Sequence, residues 1–184
     1  MDCWDNIPWE GLPKSVMVDL GRYLLKHKDA LRFHLDSPVG ATFRNMNISG
    51  FLRVFKGMVY IARTPLILAK LVHTDNDNFP HELSLGKILG YPLCCVEKIR
   101  IIGENFIDDY NNEFNREVEK HSLLDISLYN SSGLGLISHV PCSTSCEPSM
   151  RQAYEFYQSL KDAIGSQKFC VWRDDTLDYF ELKN

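Results

Sequence analysis

The chain has 184 residues, 45% of them hydrophobic and 24% charged, with a formal net charge of -4. That is enough for one soluble domain over residues 1–184 with a full apolar core. The charge excludes a generally basic surface for nucleic acid or anionic lipid. No apolar run approaches the roughly 20 residues that span a bilayer.

The start, Met1-Asp2-Cys3-Trp4-Asp5, lacks the basic-then-apolar pattern of a secretory signal. The expected location is therefore a reducing cytoplasm. There, clustered cysteines serve as metal ligands or reactive thiols more often than as disulfides.

Trp4, Pro8, Trp9 and Pro13 describe an irregular arm across the core. After Pro13, Val16, Leu20, Tyr23, Leu24, Leu31 and Leu35 recur near helical spacing and predict one helix, ended by Pro38 and Gly40. Phe51–Phe55 and Met58–Ala62 flank Lys56-Gly57, a hairpin signal with a two-residue turn. Pro65 opens a short apolar helix through Val72, and Asp75-Asn76-Asp77-Asn78 reads as a polar loop. The glycine and the distant glutamate of a calcium-binding loop are missing from that stretch.

His81 to Leu89 predicts a short helix closed by Gly90. Pro92 then suits the first turn of the next helix, on which Cys95, Ile99, Ile102 and Phe106 form one stripe. Cys94 lies about 100° round that helix and is expected to be less buried. Asp108 to His121 reads as a solvated helix, and Leu134 to Val140 as a strand after a Ser131-Ser132-Gly133 turn. Past Pro148, the positions Met150, Ala153, Tyr157, Leu160 and Ile164 predict a helix face closed by Gly165. A second hairpin is expected from Phe169–Trp172 and Leu177–Leu182. The fold class is α+β, with several helices, two short β-hairpins and the cysteine motifs at helix N-termini.

Four of the six cysteines fall in two short stretches, Gly90-Tyr91-Pro92-Leu93-Cys94-Cys95 and His139-Val140-Pro141-Cys142-Ser143-Thr144-Ser145-Cys146. Helix N-termini offer unpaired N–H groups and a partial positive charge, which favour the thiolate. Two such ends converging suit a thiolate-bound metal centre formed by Cys94, Cys95, Cys142 and Cys146. The spacing is not that of two Cys-x-x-Cys zinc knuckles. Side chains of adjacent helical cysteines are expected to diverge, which a cluster of several irons tolerates better than one ion.

An iron–sulfur cluster, [4Fe–4S], is therefore the leading cofactor reading. If only three of the cysteines bind, an open iron is left for a small-molecule substrate. His139 is then the candidate proton donor and Glu147 a candidate acid or base. Ser143 and Ser145 are candidate hydrogen-bond donors to cluster sulfurs. Their structural alternatives are a satisfied histidine, a residue favouring the helix dipole, and turn caps.

Two further readings remain open. One is a zinc-stabilised interaction module completed by His139 or His81. The other is a metal-free dithiol–disulfide protein. Cys3 and Cys170 read as packing residues, and nothing in the sequence sets the oligomeric state.

At these motifs the chain resembles a family of small prokaryotic proteins with no established function. Its members carry Gly-Tyr-Pro-x-Cys-Cys and later His-x-Pro-Cys-Ser-x-x-Cys followed by Glu-Pro-Ser, here Gly90–Cys95 and His139–Ser149. The resemblance covers roughly the middle third to half of the chain. It implies that the two motifs form one site and implies no particular activity.

Overall fold

A computed structural model describes residues 12, 14–35, 50–77, 82–121 and 136–164. The architecture is α+β: among the described residues, six α-helices accompany one three-stranded antiparallel sheet. The chain groups into two compact units, Met1–Leu93 and Cys94–Asn184.

In the first unit, α1 (Lys14–Leu24) precedes β1 (Ala30–His34), β2 (Phe51–Phe55) and β3 (Met58–Ala62). The sheet order is β1-β3-β2, so β3 is the central strand. The alternation of a strand then sends its residues to opposite faces. Val59 and Ile61 join Leu31, Phe33 and the α1 residues Val16, Leu20 and Tyr23 in one apolar cluster. Met58, Tyr60 and Ala62 face the other way, packing with Ala30, Leu71, Val72 and Leu89. Each large aliphatic or aromatic side chain buried this way contributes about 1.5–3 kcal/mol. The unit is thus a sheet between two helical layers, with α2 (Pro65–Asn76) and α3 (Glu82–Ile88) on the second face.

The hairpin between β2 and β3 turns through Lys56 and Gly57 at φ 47° and 77°, the left-handed pair of a two-residue turn. Thr64 caps α2 by accepting the Ile67 N–H at 3.2 Å, with Pro65 in the first turn.

Two expectations for this unit change. The helix predicted from Pro13 to Leu35 ends at Leu24, where Lys26 takes φ 64°, and Ala30–His34 is a strand. Leu31 and Phe33 lie two apart, so they suit a strand face, and all five β1 residues pair with β3. The supposed loop at Asp75 is the last turn of α2. Asp75 accepts from Tyr60 Oη at 2.6 Å and Arg32 Nε at 2.8 Å, which ties that turn to the sheet. His81 lies outside the described residues.

The second unit contains almost all of α4 (Leu93–Ile102), then α5 (Ile107–His121) and α6 (Glu147–Ile164). Gly103, at φ 89°, breaks the stripe expected to run on from Cys95, and Phe106 is exposed. Phe114 buries the inner face of the otherwise charged α5. On α6 the fully buried apolar residues are Ala153, Phe156 and Leu160, so Phe156 takes the core position expected of Tyr157. Residues 136–140, read above as strand, run as bends without pairing to any described strand. The predicted second hairpin, Cys3 and Cys170 lie outside the described residues.

Candidate metal centre

Gly90, at φ 76°, ends α3, and the Tyr91 N–H donates back to the Gly86 carbonyl at 2.9 Å. Pro92 follows, and α4 begins at Leu93, so Cys94 and Cys95 are its second and third residues. Cys146 immediately precedes α6, and its carbonyl accepts the Met150 N–H at 3.0 Å as the first helical bond. The Cys146 N–H in turn donates to the Ser143 carbonyl at 3.2 Å, which folds the intervening loop tightly.

These ends bring four sulfurs together. Cys94 Sγ lies 3.9 Å from Cys95 Sγ and 3.7 Å from Cys146 Sγ. Cys95 Sγ and Cys146 Sγ are 3.6 Å apart, and all four sulfurs, Cys142 included, lie within 4.8 Å of one another. A group this close is compatible with metal binding. Cys95 and Cys146 are buried, while Cys94 and Cys142 are half-buried.

The adjacent cysteines do not diverge. Cα–Cβ bonds on a helix tilt towards its N-terminus. In the first turn no earlier turn stands in the way, so both thiols reach the same space beyond the helix end.

Around the sulfurs lies a polar shell. Ser149 is fully buried. Its hydroxyl donates to Cys146 Sγ at 3.2 Å and sits 3.3 Å from Cys95 Sγ. His139 Nε2 is 2.9 Å from the same oxygen. A hydroxyl has a single proton, here directed at Cys146, so the imidazole is the donor to Ser149. The resulting chain runs His139 Nε2–H to Ser149 Oγ–H to Cys146 Sγ.

The electrostatics differ among the thiols. Burial pushes Cys146 up, but hydrogen bonds from the Ser149 hydroxyl and backbone N–H, and from Cys142 and Cys95, outweigh it. Its pKa comes down to about 7. Burial and the neighbouring Cys146 raise Cys142 to about 11. Cys95 is raised chiefly by burial, against hydrogen bonding with Ser149 and the Cys142 backbone. One thiolate, on Cys146, is thus the site's preferred first charge.

Of the residues singled out in the sequence, the four cysteines meet, and His139 reaches them through Ser149. Ser143 and Ser145 are exposed; the serine that contacts sulfur is Ser149. Glu147 is exposed in the first turn of α6, where a carboxylate favours the helix dipole.

Two contributors were not anticipated. Ser149 stood in the Glu-Pro-Ser end of the second motif, and its spacing of three from Cys146 on a helix start was the available signal. Tyr110 on α5 donates to the Pro141 carbonyl at 2.8 Å, fastening the loop that carries Cys142. Burial and the charges of Cys142 and Cys95 push its phenol up to about 12, keeping the donor protonated.

The chain matches no family model, and neither the curated proteins nor the solved structures contain a match to it.

Proposed function

We propose that Cys94, Cys95, Cys142 and Cys146 hold one zinc ion, and that the protein is a zinc-stabilised module. The observation that carries this reading is the sulfur spacing. A tetrahedral ion with zinc–sulfur bonds of about 2.3 Å sets its ligands about 3.8 Å apart. The Cys94–Cys95, Cys94–Cys146 and Cys95–Cys146 separations are 3.9, 3.7 and 3.6 Å. In a cubane each thiolate takes its own iron, which spreads the sulfurs to roughly 6 Å. The spacing therefore favours a single ion over the [4Fe–4S] cluster that adjacent cysteines alone suggested.

Four thiolates also close the coordination sphere, the pattern of a structural rather than a substrate-binding zinc. With zinc bound, the centre carries two excess negative charges. The partial positive ends of α4 and α6 and the Ser149 donors offset these. His139 and Ser149 act here as outer supports of the ligand set.

The test is metal and sulfide content, with an absorption spectrum, on protein purified without oxygen. The expected result is one zinc per chain in a colourless protein. Iron and sulfide near four each, with broad absorption around 400 nm, would restore the cluster reading. Absence of any metal would leave the thiols themselves as the chemistry.

A further inference from the structure

The four sulfurs are not equally placed. A cavity of about 450 Å³ opens beside the centre, and Cys142 alone of the four cysteines lines it. Its walls are aromatic, from Tyr110 and Phe114, whose ring centroids lie 6.4 Å apart. Along the same helix Asp109, Glu113 and Glu117 repeat every four residues, adding a row of carboxylates to the lining. Lys98 also lines the cavity, with its ammonium 5.3 Å from the Tyr110 ring centroid. The Tyr110 bond to the Pro141 carbonyl fixes the loop that presents Cys142.

We propose that Cys142 is a metal-activated nucleophile that accepts an alkyl group from a carbon electrophile bound in this cavity. The inference rests on the single-ion reading above. Coordination keeps the sulfur deprotonated at neutral pH, and a metal-bound thiolate retains a lone pair for attack. The aromatic walls and carboxylate row select a neutral or cationic electrophile over an anionic one.

In the step, the Cys142 Sγ lone pair forms a bond to saturated carbon. The bond from that carbon to its leaving group breaks, and the leaving group departs with the bonding pair. No electrons are gained or lost by the protein. The thiolate becomes a neutral thioether, and one negative charge leaves the centre. Each chain accepts one group.

The test uses the full chain with its zinc, treated with limiting iodoacetamide or iodoacetate, and adducts placed by mass spectrometry. The expected result is a single early adduct on Cys142. The preference for neutral iodoacetamide over anionic iodoacetate should exceed that of free 2-mercaptoethanol by about fivefold, the scale of one nearby charge in water. A double variant, Asp109→Asn with Glu113→Gln, should lose most of that extra preference.

Zinc is measured on the same samples. Zinc-loaded protein that reacts first at another cysteine, or evenly at all four, overturns this inference and leaves the metal reading standing. The same holds if its charge preference equals that of the free thiol. Protein that contains no metal overturns both.

Discussion

Cys95 and Cys146 are 51 positions apart in the chain, and their buried sulfurs lie 3.6 Å from each other. Neither sulfur faces the cavity, so this pair forms the inner edge of the ligand set. An edge of that length matches the separation of two thiolates on one tetrahedral ion, about 3.8 Å. Burial without a strong partner is costly for any group that must ionise.

Cys146→Ala is accordingly expected to be the most damaging single change at the centre. It removes the thiolate whose pKa is lowered to about 7 and the acceptor of the Ser149 hydroxyl proton. Zinc content should fall below about a tenth of stoichiometric, because structural sites depend on all four ligands. Chelation of the unaltered protein should lower its helical circular dichroism and its unfolding temperature. Retention of both after zinc removal would show that the ion is not structural.

Ser149→Ala should weaken zinc binding by about 10–100-fold while leaving the four ligands in place. The hydroxyl is fully buried and touches both inner sulfurs. His139→Gln acts through that oxygen and should cost less than Ser149→Ala. Competition against a chromophoric chelator measures both. Equal, unchanged affinities in the two variants would remove the polar shell from the account of the site.

Much of this site could be read in advance, and the reasons differ residue by residue. Gly90, Pro92 and Pro148 mark helix ends by local chemistry, which is why the segments carrying Cys94, Cys95 and Cys146 were legible. The convergence of Cys95 with Cys146 depends on packing and had no local signal. The choice among serines failed for a related reason. Ser143 and Ser145 neighbour the cysteines in sequence, whereas Ser149 is one helical turn past Cys146 and points back at it.

The same contrast explains the sheet. Phe51–Phe55 and Met58–Ala62 announce themselves through a local turn. Ala30–His34 becomes a strand only because β3 is there to pair with it. Phe156 and Tyr157 are adjacent aromatic residues, and periodicity over one helix does not separate them.

Gly90→Ala should destabilise folding by about 1 kcal/mol, the cost of a side chain at a left-handed position. The strain comes from φ 76° alone, since the nearest atom to an added Cβ is Lys28 Cγ at 3.9 Å. Urea denaturation reads the change directly. Because Gly90 is not a ligand, zinc affinity of the folded variant should match that of the parent. A loss of affinity without a loss of stability would assign the glycine to the site instead.

Lys28 gives the first unit an alkaline pH dependence. Its side chain is fully buried, paired with Asp19, with its ammonium 4.9 Å from the Tyr91 ring centroid. Burial drives its pKa below the ordinary 10.5, and Asp19 opposes that only in part. The charged amine therefore costs stability below the folded pKa, and there the cost is complete. Between the lowered folded value and the unfolded one, the unfolded chain binds more protons, so stability rises with pH. Tyr23 and Tyr60 act oppositely. Burial raises both above the ordinary 10.0, so the unfolded chain ionises first and stability falls at higher pH. Comparing the protein with Lys28→Met cancels the tyrosine contribution. The parent should gain on the variant as pH climbs towards about 10. A difference that stays flat across that range would mean that the folded chain keeps Lys28 as readily charged as water does.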